Sequence, residues 1–164
     1  MAKLFVTVTD NQELRLSVTQ NKSDDILYPN SKMDAIYDDS NIYSVSYDIK
    51  NITDIYKNVN LQYYYSDVDH PMATKYRISS NNPMMDNTNH LETSMQGLKL
   101  KNTFDIESFK LLVGLDGSKR TWDGDYYKTT TGLPLPAGNS KSIDDSETQN
   151  AAIFAKLDKQ YGSF

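Results

Sequence analysis

Hydrophobic and polar residues alternate in seven stretches of the chain, and a period of two predicts β-strands. Leu4, Val6 and Val8 alternate with Phe5, Thr7 and Thr9, and Leu14, Leu16 and Val18 alternate with Arg15, Ser17 and Thr19. Asp10-Asn11-Gln12 between them has the composition of a tight turn. Tyr43, Val45, Tyr47 and Ile49 then run against Ser44, Ser46 and Asp48. After a short connection, 51–57, Val59, Leu61, Tyr63 and Tyr65 share one face of a strand, and Asn60, Gln62, Tyr64 and Ser66 share the other. The same alternation carries His70 and Met72 onto the polar face at the far end. Leu98, Leu100 and Phe104 run against Lys99, Lys101 and Thr103. Across a turn at Asp105–Ser108, Phe109, Leu111, Val113 and Leu115 run against Lys110, Leu112 and Gly114. Ala151, Ile153, Ala155 and Leu157 against Ala152, Phe154, Lys156 and Asp158 make the last strand, which ends in QYGSF.

Short turns alternate with long polar stretches. The stretches run from about Asn21 to Asn41, from Met72 to about Asn89, and from about Thr121 to Glu147. Structureless loops of that length are uncommon in a compact soluble domain. Short turns at one end and long loops at the other are the habit of outer-membrane barrels. The pattern therefore predicts an all-β antiparallel meander of about seven long strands. It reads as part of a transmembrane β-barrel, with short periplasmic turns and long extracellular loops. Arg15, Asp48, Asn60, Gln62, Lys99, Lys101, Lys110, Lys156 and Asp158 would face the lumen. A soluble β-sandwich could place the same residues outside and the apolar face inside, so alternation alone leaves both open. Aromatic residues gather at both strand ends. Tyr56, Phe104, Phe109 and Tyr161 lie near the short turns, and Tyr43, Tyr63, Tyr65 and Trp122 toward the long loops. They are expected to form two interfacial girdles.

Composition agrees and narrows the partners. Only 38% of the 164 residues are hydrophobic and the mean hydropathy is −0.64, with no apolar run long enough for a membrane helix. Barrel strands alternate and so escape such averages. The 12 Tyr against 5 Phe and 1 Trp suit interfacial or binding surfaces. A net charge of −5, without a basic cluster, excludes nucleic acid as a partner. With no Cys there is neither a disulfide nor a thiolate ligand. The N-terminus MAKLFVTVTDNQ has no apolar segment or cleavage site of a secretory signal. The expectation is a cytosolic protein or a piece of a longer exported one.

Three segments resemble TonB-dependent outer-membrane receptors. QNAAIFAKLDKQYGSF resembles a barrel strand meeting a periplasmic turn, and DNQELRLSVTQNKSDDILYP resembles the strand-and-loop pattern of these barrels. The strand ending DHPM, followed by a Met-rich loop, is similar to the copper-type members. The resemblance covers essentially the whole chain. It implies a monomeric barrel of about 22 strands closed by an N-terminal plug, with transport energised by the TonB complex through a TonB box. No plug, TonB box or C-terminal strand pattern is recognisable, and Phe164 ends the chain just after a turn. Residues 1–164 are therefore expected to be a middle-barrel fragment, unable to insert or transport alone because its edge strands lack partners. The expected partners are outer-membrane lipid, the TonB complex through the missing plug region, and a metal or metal-complex substrate. The expected location is the outer membrane of a Gram-negative cell.

The chemistry is soft-metal chemistry. Imidazole plus thioether suits copper, Cu(I) above all, and His70 and Met72, two apart on a strand, share a face. In the copper-type receptors a His-x-Met pair of this kind is a ligand pair completed by the plug, which implies His70 and Met72 as metal ligands and copper as the transported substrate. Met84, Met85, His90 and Met95 could form a secondary capture region in the following loop, or the Met could serve as adaptable packing. Asp67 and Asp69 fall on the face away from His70. Asp123-Gly124-Asp125 reads as a turn. Gly114–Lys119 lacks the Gly-Lys-Ser/Thr order of a phosphate loop, and two His residues in loop-proximal positions give no credible triad. No catalytic residue and no cofactor is expected, and the chain is not expected to be an enzyme. The alternatives are a passive porin, a siderophore receptor barrel, or a soluble β-rich binding or adhesin module.

Overall fold

The computed structural model describes residues 1–159. Seven strands form one antiparallel sheet in strict sequence order. They are β1 (Ala2–Thr9), β2 (Gln12–Ile26), β3 (Asp34–Lys50), β4 (Tyr56–Ala73), β5 (Thr88–Ile106), β6 (Phe109–Tyr127) and β7 (Lys141–Lys159). The expected meander is therefore present. β1 and β7 each pair on one side only among the described residues. Tyr161 and Phe164, named above for a girdle and a chain end, lie outside the described residues.

Register explains why the apolar residues line up. Leu14, Tyr47, Leu61, Leu100, Leu115 and Ile153 are cross-strand partners in one row from β2 to β7. Leu16, Val45, Tyr63 and Leu98 form the next row. Directly paired residues share a face, so one side of the sheet carries an apolar band. Nothing among the described residues covers it: Leu98 is 52% exposed and Ile153 85%. Among the described residues the only buried hydrophobic ones are Ala35 and Ala73.

The opposite side is polar and concave. Lys3, Arg15, Ser46, Asn60, Lys101 and Leu112, one from each of β1 to β6, line a single trough of about 490 Å³. Asp48 and Asn60 are buried at its floor. There Asn60 Nδ2 donates to Ser46 Oγ at 2.8 Å, and Arg15 Nη2 lies 3.5 Å from Asp48 Oδ2. A sheet with a bare convex apolar face and a polar hollow has its sidedness reversed relative to a soluble sandwich, which buries its apolar face.

The strands run well beyond their alternating cores, which corrects the expected boundaries. The three long loops shrink to 27–33, 74–87 and 128–140, the second containing a 3-10 turn at Ile78–Asn81. Ser23, Asp24, Asp38, Asp39, Thr121 and Ser146 lie in ladders, not loops. Backbone pairing needs no apolar side chain, so residues polar on both faces continue a strand wherever both faces meet water. Asp123-Gly124-Asp125 is likewise strand, paired with Glu92, Leu91 and His90.

The girdles are partly as expected. A register shift between Tyr56 and Asn58 moves Tyr56 onto the apolar face, where its ring stacks on Phe104 at 4.7 Å and 13°. Bulges re-aim side chains in this way. At the other end the Tyr43 and Tyr65 rings lie 6.3 Å apart. Trp122 does not join them. It pairs with Thr93, the partner of Val68, and so faces the polar side.

Candidate metal-binding site

β4 places His70 and Met72 on the concave face, above the trough and next to the long loops. Met72 pairs with Ala35 of β3 and Asn89 of β5, and His70 with Leu91 of β5. Unbroken alternation from Asp48 and Ser46 puts Asp38 of β3 on the same side. His70 Nδ1 lies 3.4 Å from Asp38 Oδ2, and the Tyr28 ring stands edge-on to the imidazole with centroids 6.4 Å apart. A carboxylate beside Nδ1 is placed to orient the ring with Nε2 as the ligand nitrogen, the usual arrangement around metal-binding histidine. Both side chains are half-buried. Neither Asp38 nor Tyr28 was legible as a partner, because both sit in stretches that read as loop.

The secondary set is not brought together. Met84 and Met85 lie in loop 74–87, whereas His90 and Met95 lie inside β5 and, being an odd number of residues apart, on opposite faces. Met95 Sδ accepts a hydrogen bond from Arg120 Nη2 at 3.1 Å. His90 faces the apolar side, beyond its hydrophobic band, with Asp69 and Glu92. The placement of Asp69 away from His70 is as alternation predicts.

A residue that no motif singled out takes the place of His90 and Met95. Met33 of loop 27–33 lines an open depression of about 1070 Å³ together with Met84, Met85, Tyr126, Leu135 and Pro136. Three of the chain's 6 Met thus meet between the loops, at the end of the sheet where His70 and Met72 lie. Met33 is isolated in sequence, and only loop packing reveals it.

Polar clamps hold these loops to one another. Arg77 of loop 74–87 donates to the buried carboxylate of Asp34 and, at 2.6 Å, to the carbonyl of Tyr28, while Tyr28 N donates to Asp34 Oδ1 at 2.7 Å. Tyr76 hydrogen-bonds to Asp25. On the other side, Lys128 Nζ donates to Pro83 O at 2.7 Å and Asn87 Oδ1 at 3.1 Å. Thr130 donates to Asp86 Oδ2 from its hydroxyl at 2.5 Å and from its N–H at 3.1 Å. The Thr130 hydroxyl above all, aided by the Thr130 N–H, Thr129 and the Lys128 charge, holds the Asp86 carboxyl below its ordinary value of 3.8.

No protein-family model matches the chain, and no curated protein is similar to it. Solved structures do match. The copper transporter OprC superposes with a TM-score of 0.74 over 94% of this chain, at 21% identity. The chain spans 24% of the length of that protein. The likeness is one of fold: seven antiparallel strands in sequence order, similar to about a quarter of a copper transporter's chain.

Proposed function

We propose that the chain forms part of the wall of an outer-membrane β-barrel transporter of the TonB-dependent receptor type, and that the barrel takes up copper. The carrying observation is the sidedness of the sheet. An uncovered apolar face around a polar hollow suits a wall with lipid outside and a lumen inside, and it counts against a soluble binding module. A membrane-crossing strand needs about 9–11 residues, while β5, β6 and β7 each have 19. The excess, polar on both faces, would stand in water beyond the outer leaflet. TonB engagement would fall to parts of the protein outside this segment, such as a plug.

His70 and Met72 are the proposed lumen ligands, with copper as cargo. His70 Nε2 and Met72 Sδ share the concave face, and thioether with imidazole favours Cu(I) over hard cations. Met33, Met84 and Met85 between the loops would offer soft ligands to the same ion on arrival. The similarity to a copper transporter supports this reading. The test is Cu(I) binding to the complete protein, comparing wild type with His70→Ala/Met72→Ala. The expected result is loss of the tightest copper site with the barrel still resistant to unfolding in cold detergent. Undiminished affinity in a folded variant would refute the copper-ligand assignment, whatever becomes of the barrel reading.

A further inference from the structure

The face of the sheet turned away from His70 carries a second group of metal-ligating side chains. His90 and Glu92 lie two apart on β5, and Asp69 is the direct cross-strand partner of Glu92. One ligand atom from each of the three falls within 4.8 Å of the others. Backbone register alone fixes this arrangement, because no loop contributes to it. An ion with bonds of about 2.0–2.2 Å holds its ligand atoms about 3–3.5 Å apart. The Glu92 side chain, 64% exposed, would therefore close in, while His90 Nε2 and Asp69 Oδ1 would part by about 1 Å from their 2.5 Å contact.

The surroundings prepare these groups for an ion. Tyr37 Oη donates to Asp69 Oδ2 at 3.0 Å, leaving Oδ1 turned to the imidazole. His90 Nε2 lies 2.5 Å from that Oδ1, and His90 Nδ1 lies 2.8 Å from Tyr127 Oη. If Tyr127 donates to Nδ1, then Nε2–H donates to the carboxylate. If Nδ1–H donates to Tyr127, two lone pairs face each other at Nε2 and Oδ1, and only a cation between them makes the contact favourable. The position accepts a proton as it stands and a metal ion once the two atoms part, and a phenol already anchors the far side of the ring.

We propose that Asp69, His90 and Glu92 bind a transition-metal dication of the zinc class. Two carboxylates and a neutral imidazole balance the charge of such an ion and leave a position open to water. Imidazole disfavours calcium or magnesium, and the absence of a thioether disfavours Cu(I). Because the site lies on the face away from the hollow, its ion is a resident that ties β4 to β5, not cargo. The assignment is independent of the copper ligands.

The test is a Zn²⁺ titration by calorimetry on the complete protein carrying His70→Ala/Met72→Ala, so that the proposed copper ligands do not contribute. One saturable equivalent is expected. Affinity should fall about tenfold or more in His90→Gln and in Glu92→Gln, and by a smaller factor in Tyr127→Phe. X-ray absorption at the zinc edge should show one imidazole, oxygen ligands and no sulfur. Absence of a saturable equivalent, or an affinity that Glu92→Gln leaves unchanged, would overturn the site. Glu92 is exposed and pairs with no group that folding needs, so that variant decides the matter even if His90→Gln fails to assemble.

Discussion

His70 and His90 stand on opposite faces of the sheet, although their strands are neighbours and His70 pairs with Leu91, the residue beside His90. One step in register separates two chemistries. His70 looks into the hollow with Met72 and Asp38, and His90 looks outward with Asp69 and Glu92.

Asp38 should matter to His70 through orientation. Asp38→Ala removes the carboxylate 3.4 Å from His70 Nδ1. Cu(I) affinity of the complete protein should fall by about tenfold, the usual cost of losing such a partner. A competition titration against a chromogenic Cu(I) chelator measures it, and equal affinities would show that the ring needs no orienting group.

Asp34 should hold two loops at once. It is 1% exposed and takes hydrogen bonds from Tyr28 N and Arg77. Asp34→Ala leaves Tyr28 N without this acceptor and Arg77 with only the Tyr28 carbonyl, at a cost of about 1–3 kcal/mol. Limited proteolysis should then cut within 27–33 and 74–87 while the strands stay protected. An unaltered digest would mean that the loops are held by other contacts.

Acid should open the clamp between loops 74–87 and 128–140. The folded Asp86 carboxyl titrates below 3.8, so its ionised form is the one the fold prefers. The stabilisation is fully present above the ordinary value and disappears as pH falls through the lowered one. Hydrogen exchange at Thr130 should be flat from neutral pH to about 5, once corrected for intrinsic rates, and should rise below about 4. Asp86→Ala should show the raised exchange already at neutral pH.

Gly114 and Gly117 lie three residues apart on β6 and should tolerate a methyl group very differently. A Cβ at Gly114 would come within 2.5 Å of the Leu100 carbonyl and 2.3 Å of the Phe154 ring. At Gly117 the nearest atom is 3.9 Å away. Gly114→Ala should cost about 1–3 kcal/mol and Gly117→Ala close to nothing, read as the urea midpoint for loss of the compact band on unheated gels. Equal midpoints would contradict the packing of Phe154 over Gly114.

What the sequence revealed depended on contrast between faces. Leu61 against Gln62, or Leu100 against Lys101, marks both a strand and its sidedness, so the meander and the polar hollow were legible. Thr121 to Asp125 and Lys141 to Glu147, largely polar on both faces, looked like loop, yet they are strand and pair apart from two register shifts. That one cause hid the outer site. With His90 assigned to a loop, its parity with Met95 could not be read and Asp69 had no partner. Met33 and Asp34 were hidden differently, since their neighbours come from distant loops.

The pairing order has a kinetic consequence. Each strand pairs with its neighbours in sequence, so each hairpin closes a short loop and can zip onto the last one formed. The clamps join residues far apart in the chain: Asp34 with Arg77, Asp86 with Thr130, Asp25 with Tyr76. They can form only after the intervening hairpins exist, which makes the loop cluster the final event of assembly. A chain halted midway would show a finished wall beneath an open crown.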